Sequence, residues 1–223
     1  MSDFVQFIHH DFGHAAPILV AGGIGLAIIL ERFRALVFAY PIRNSPKFVE
    51  KIRDLVMADR LAEALTYTEQ LGSKPVAGVI REALLRAHQP EDLIQDGLEL
   101  AVNEASQKIS ARTPFLATIA NVATLLGLFG TILGLIQSFQ AVGSASAQQR
   151  SALLAAGIST AMNATMLGLA IAIPCMVAFS YLMNRSNRLN AEVEQMALRM
   201  TDIIKQRFYD ADSAPGRGKK KAA

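Results

Sequence analysis

Residues 113–134 read Thr113-Pro114-Phe115-Leu116-Ala117-Thr118-Ile119-Ala120-Asn121-Val122-Ala123-Thr124-Leu125-Leu126-Gly127-Leu128-Phe129-Gly130-Thr131-Ile132-Leu133-Gly134. The stretch holds no charge, and from Thr113 to Asn184 the only charged residue is Arg150. A helix needs about 20 mostly apolar residues to cross a bilayer core. Two crossings therefore fit here, 113–140 and 151–183, joined by the short segment 141–150. Towards the amino terminus, Phe12–Leu30 is also uncharged and resumes as Ala35–Tyr40 after Glu31-Arg32-Phe33-Arg34, which gives a further span over 15–40. Hydrophobic residues make up 52% of the 223 and charged residues 18%, below the roughly 25% charge of a soluble domain. That rules out intrinsic disorder and argues against an ordinary soluble domain. No period-two alternation persists, so the fold class is all-α: an integral membrane protein with three transmembrane helices.

Charge asymmetry sets the orientation. Residues 1–14 hold no Lys or Arg, and 141–150 holds only Arg150; all the other basic residues lie in 32–112 or after Asn184. The N-terminus and the 141–150 loop are thus expected outside, with 41–112 and 184–223 cytoplasmic. The first apolar run is read as a retained anchor and not a cleaved signal, because its positive charges follow it. The insert 41–112 reads as helical throughout. Ser45-Pro46 starts a helix carrying Val49, Ile52, Leu55, Val56, Leu61 and Leu65, and Gly72-Ser73-Lys74-Pro75 ends it. Val76, Val79, Ile80, Ala83 and Leu84 begin another, ended by Gln89-Pro90. From Glu91 a helix with Leu93, Ile94, Leu98, Val102 and Ile109 runs towards the second span. After Asn184 an amphipathic helix continues with Leu189, Val193, Met196, Met200, Ile203 and Ile204, and the basic run Gly218-Lys219-Lys220-Lys221 reads as a solubilising tail.

At about 100° per residue, Asn121, Thr124, Thr131 and Ser138 fall within about 100° of arc on the second span. Gly127, Gly130 and Gly134 lie beside them. On the third span Thr160, Asn163, Ala164 and Leu167 share one face, and Ala161, Thr165, Gly168 and Ala172 an adjacent one. Pro174 removes a backbone hydrogen bond. Polar groups in hydrocarbon need partners, so these faces are expected to look inward, the small residues allowing close helix approach. A threonine also commonly returns its hydroxyl to its own helix, so the stripe suits packing as well as a path. Neither span supplies a carboxylate; if protons move, a partner must bring the acid.

Elsewhere the signals are weaker. His9, His10 and His14 read as an interfacial polar rim, with no metal site expected; Glu31, Arg32 and Arg34 mark the inner headgroup level. Cys175, the only cysteine, is read as a packing residue, and a lone cysteine excludes an internal disulfide. No phosphate-binding glycine loop, nucleophile elbow or HExxH motif is present. No enzymatic activity, cofactor or nucleic-acid partner is expected.

On Thr113–Ala120, on Gly127-Leu128-Phe129-Gly130-Thr131, on Gly157-Ile158 and on Ala164-Thr165-Met166-Leu167-Gly168-Leu169-Ala170-Ile171-Ala172-Ile173-Pro174, the chain resembles the MotA/TolQ/ExbB proton-channel family, in its three-span TolQ/ExbB branch. The resemblance implies a multi-pass stator subunit of a bacterial inner membrane, N-terminus periplasmic, C-terminus cytoplasmic. It implies a homo-oligomeric ring, typically five copies, around single-span ExbD/TolR-type chains whose membrane aspartate carries the proton. A further envelope protein would receive the work. Thr131 and Thr165 match the family threonines that face that aspartate, with Thr160, Asn163, Asn121 and Thr124 as further candidates for the path. Gly127, Gly130, Gly134, Gly168 and Pro174 are the helix-packing candidates. Many members carry a glutamate where this chain has Thr160, so the path here would rest on the partner's acid and on hydroxyls. One proton crossing 100 mV supplies about 2.3 kcal/mol. Two rivals stand beside this reading: a non-conducting membrane scaffold and a small-solute carrier, though a carrier commonly shows internal repeats that three unequal spans do not.

Overall fold

The structure, a computed structural model, describes residues 12–42, 45–72 and 74–213. His9 and His10, the side chain of His14 and the basic run 218–221 lie outside the described residues. In chain order the elements are α1 (Phe12–Phe33), a π-helical turn (Arg34–Ala39), α2 (Ser45–Met57), α3 (Leu61–Glu69), α4 (Pro75–Leu85), α5 (Glu91–Ser110), α6 (Phe115–Ser144) and α7 (Arg150–Ser213). No strand occurs among the described residues. Among the described residues three helical stretches are long and apolar enough to cross a membrane. The chain divides into two compact units, one from 1–33 with 112–183, the other from 34–111 with 184–223.

The first unit contains α1, α6 and α7 as far as 183. Its interior is built from small residues. Ala15, Ile18, Ala164 and Leu167 form one buried cluster, with Leu126 and Ile171 against it. Ala120, Ala123, Ala172 and Cys175 form a second, flanked by Ile29 and Ile119. Large apolar side chains point outward instead: Leu125 is 63% exposed and Val177 66%. Water would disfavour so large an apolar surface, whereas lipid tails or neighbouring spans accept it. At one end of the unit Glu31 pairs with Arg112 at 2.6 Å and with Arg32 at 3.7 Å, and Phe33 stacks on Tyr181 with ring centroids 6.3 Å apart.

The second unit contains α2–α5 and the remainder of α7. Consecutive helices of α2 to α5 pack on one another. The buried side chains recur at helical spacing: Ile52 and Val56; Val79, Ile80, Ala83 and Leu84; Ile94, Leu98 and Ile109; Leu189, Val193, Met196, Met200, Ile203 and Ile204. The expected single helix from Ser45 through Leu65 is instead two, α2 and α3. Asp59 between them adopts a left-handed backbone, φ 59°, and its carboxylate accepts from Arg207 Nη2 at 2.6 Å and Nε at 3.1 Å. Aspartate tolerates that conformation better than most residues, and the ion pair holds the turn. α5 ends at Ser110 and α6 begins at Phe115, with Arg112 between them in a left-handed backbone, φ 60°. Ser110 Oγ lies 3.3 Å from Ser186 Oγ and accepts from Asn190 Nδ2 at 3.2 Å.

Candidate functional site

α6 and α7 approach each other through glycine and alanine. A Cβ placed on Gly127 would lie 3.2 Å from the Ala164 carbonyl and 3.3 Å from Gly168 Cα. One on Gly130 would meet Ala164 Cβ at 2.6 Å, and one on Gly134 would meet Ala161 Cβ at 3.1 Å. Opposite them, a Cβ on Gly168 would come within 2.6 Å of the Ala123 carbonyl. These contacts are with backbone or with the first side-chain atom, so no rotamer change relieves them. The same logic holds further along, where a Cβ on Gly157 would strike Ser138 Cβ, which is fixed by the backbone. Ser138 is buried there and donates to the Leu153 carbonyl at 3.4 Å.

The close approach brings Thr131 of α6 and Thr165 of α7 to one open groove of about 590 Å³, lined otherwise by Met162, Met166, Leu169, Ala170 and Ile173. Both threonines are half-buried. Thr131 Oγ1 donates to the Leu128 carbonyl at 2.6 Å, within its own helix. Thr165 Oγ1 donates across the interface to the Gly127 carbonyl at 3.2 Å. That second bond requires glycine at 127, since its carbonyl is reached only because the helices touch. Among the described residues no group of three or more His, Cys, Asp or Glu is placed to hold a metal.

The other polar residues of the spans sit elsewhere. Asn121 and Thr124 are exposed on α6 outside the groove lining, Thr124 Oγ1 donating to the Ala120 carbonyl at 3.0 Å. Thr160 and Asn163 are half-buried on α7 and also do not line the groove. Pro174 is exposed, one residue beyond Ile173 of the groove wall. Sequence reasoning did not single out the apolar walls Met162, Met166, Leu169, Ala170 and Ile173, because their side chains carry no polar signal against an apolar span.

Residues 67–195, which include every residue of the groove, match the model of the MotA/TolQ/ExbB proton channel family. The chain is 30% identical over 196 residues to the Tol-Pal system protein TolQ of Haemophilus influenzae, covering 83% of this chain and 85% of that protein. This chain belongs to the MotA/TolQ/ExbB proton channel family. Within that family it is also 27% identical over 183 residues to the biopolymer transport protein exbB1 of Vibrio cholerae, covering 81% of this chain and 79% of that one. A chain in the solved structure of C. jejuni MotAB is similar in fold, with a TM-score of 0.54 and 14% identity over 88% of this chain and 82% of that one. As a member of the MotA/TolQ/ExbB family the chain is a membrane protein of the channel type, and its groove threonines lie on spans that carry no fixed charge.

Proposed function

We propose that this chain is the ring-forming subunit of a proton-driven stator in a bacterial inner membrane. About five copies surround single-span ExbD/TolR-type chains, and the aspartate of such a chain moves along the Thr131–Thr165 groove. The observation that carries this reading is the groove itself: two hydroxyls on facing helices, open on one side, in spans that contain no acid of their own. The recess is walled mainly by apolar side chains, which suits the apolar body of a partner helix, and its two hydroxyls offer hydrogen-bonding groups to a titratable side chain on that helix. In this arrangement residues 1–14 and 141–150 are periplasmic and 41–112 and 184–223 cytoplasmic, and the work goes to a further envelope protein.

The first test is the native mass of the complex extracted gently from its own membrane. About five copies with two small single-span chains support the stator; a monomer or dimer without them overturns it. Thr131→Val and Thr165→Val then separate a channel from a scaffold. In the channel each abolishes proton flux through the purified complex while the native mass is unchanged. Flux that persists in both variants leaves the scaffold reading.

A further inference from the structure

In the second unit α5 and the end of α7 lie side by side and antiparallel. Glu91 Oε1 meets Lys205 Nζ at 2.6 Å, and the same number of residues away along each helix Ser110 Oγ meets Ser186 Oγ at 3.3 Å. Where α5 begins, the two helices leave an open groove of about 270 Å³, walled by Pro90, Ile94, Ile204, Phe208 and Tyr209 beside the Glu91–Lys205 pair. Phe208 and Tyr209 are exposed. Beside the groove α5 presents an acidic face. Asp92, Asp96 and Glu99 fall within about 60° of arc, all three are exposed, and none has an ion-pair or hydrogen-bond partner among the described residues. Asp92 lies in the first turn, where the helix dipole favours an acid; Asp96 and Glu99 lie beyond it. The exposed Leu93 and Leu100 border these acids. Lys205 and Arg207, the last two cations of α7, are already engaged, with Glu91 and with Asp59 at 2.6 Å each.

Past Ser213 the sequence continues Ala214-Pro215-Gly216-Arg217-Gly218-Lys219-Lys220-Lys221-Ala222-Ala223, with four cations and no acid. Pro-Gly is a dipeptide that reverses a chain. A reversal at Pro215-Gly216 sends the chain back along α7 and, the helices being antiparallel, forward along α5. Measured along the axis from Ser213, Tyr209 lies at about 6 Å, Asp92 at about 14 Å, Asp96 at about 20 Å and Glu99 at about 24 Å. From Gly216 to Lys221 an extended chain spans about 17 Å, and the four-carbon stem of lysine adds to that reach. Arg217 then stands over the Tyr209 ring, Gly218 crosses the groove without a side chain, and the three lysines come level with the three acids.

We propose that the groove and the acidic face of α5 are the docking site of the chain's own residues 214–223. Arg217 stacks on the exposed rings of Phe208 and Tyr209, and Lys219, Lys220 and Lys221 pair with Asp92, Asp96 and Glu99, their stems over Leu93 and Leu100. One exposed ion pair contributes little, but a segment tethered a few residues from its site acts at the millimolar effective concentration of a short linker. The basic run is thus a strap that ties the end of α7 to the start of α5, and it is not free for an anionic lipid surface.

The test measures a distance in the full chain within its native complex. Spin labels are placed at Ala222→Cys and Asn103→Cys in a Cys175→Ala background, and the labelled chain is diluted with unlabelled chain so that only distances within one copy count. Asn103 lies about 6 Å beyond Glu99 and about 30 Å from the level of Ser213. The docked strap therefore gives a narrow peak at about 15–25 Å, and an undocked one a broad distribution centred beyond about 30 Å. The narrow peak is expected both in uncharged detergent and in vesicles of phosphatidylethanolamine and phosphatidylglycerol, and it fades in 1 M salt, where charges are screened beyond about 3 Å. Two variants each remove one side of the contact: Lys219→Glu with Lys220→Glu and Lys221→Glu, and Asp92→Asn with Asp96→Asn and Glu99→Gln. Both are expected to lose the peak. A broad distribution in the parent overturns the proposal, as does a peak that either variant keeps. A peak seen in detergent and lost in the vesicles makes the lipid surface the occupant, and one seen only without dilution makes it a neighbouring copy; each of these overturns the proposal as well.

Discussion

Gly168→Ala tests whether the contact between α6 and α7 is as close as the geometry requires. The added Cβ would stand 2.6 Å from the Ala123 carbonyl oxygen and 3.0 Å from Gly127 Cα, both backbone atoms, whereas ordinary contact begins at 3.4 Å. The helices must part locally by about 0.4–0.8 Å. The bond from Thr165 Oγ1 to the Gly127 carbonyl is already 3.2 Å, and the same displacement carries it beyond hydrogen-bonding range. Overpacking costs about 1–3 kcal/mol and the lost bond about 1, offset by at most about 1 from alanine's better helix propensity. The net expectation is a loss of about 1–3 kcal/mol. Equilibrium unfolding of the chain in mixed detergent micelles measures it, with Gly23→Ala as the internal comparison. Gly23 lies in the same apolar unit, and a Cβ there meets nothing within 4 Å, so that variant is expected to be neutral or slightly more stable. If Gly168→Ala and Gly23→Ala are equally stable within about 0.5 kcal/mol, the tight α6–α7 contact is not the native arrangement.

Two further substitutions probe the turns that the sequence did not announce. Arg112→Gly relieves a left-handed backbone that costs a side-chain-bearing residue about 1 kcal/mol, while Arg112→Ala keeps that strain; both lose the exposed pair with Glu31. The glycine variant is therefore expected to be the more stable by about 1 kcal/mol in the same unfolding experiment, and equal stability would contradict the φ of 60° at this position. Arg207→Ala removes the bonds to Asp59 and to the Ala87 carbonyl, the latter at 3.2 Å. It should cost about 1–2 kcal/mol and make 58–60 a site of early cleavage in limited proteolysis; an unchanged cleavage pattern would show that Arg207 does not hold the turn.

Much of this architecture is written in the sequence because it depends on composition over long windows. An uncharged run such as 151–184 has few soluble alternatives, and the three long apolar helices follow from it. The glycine face was legible for a related reason: Gly127, Gly130 and Gly134 recur at helical spacing, and only close approach gives such a row a purpose. The turn at 58–60 was not legible. Ala58-Asp59-Arg60 contains neither glycine nor proline, and what bends it is a partner nearly 150 positions away in the chain, Arg207. The π-helical turn at Arg34–Ala39 left no sequence signal either; the Leu36 carbonyl within it accepts from Arg185 Nε at 3.3 Å, again a distant partner. At the site, helical spacing put Thr160 and Thr165 on adjacent faces, and both were kept as candidates for the path. Five residues on a helix are about 140° apart, and only Thr165 lines the groove. The direction of each hydroxyl proton was beyond any pattern, because it depends on which carbonyl stands within reach.

The packing stripe and the polar path are the same construction. Gly127 is one of the residues at which α6 approaches α7 closely, and its carbonyl is also the acceptor that takes the Thr165 proton. A larger residue at 127 or 168 would push the helices apart and lengthen the bond from Thr165 to the Gly127 carbonyl, already 3.2 Å. The position of a hydroxyl in the groove wall thus depends on two glycines that do not themselves line the groove. Stability and ion chemistry therefore cannot be tuned independently at this contact. A substitution that loosens it without unfolding the chain should lower proton flux through the purified complex before it changes the native mass, and full flux in a loosened variant would show that the contact serves packing alone.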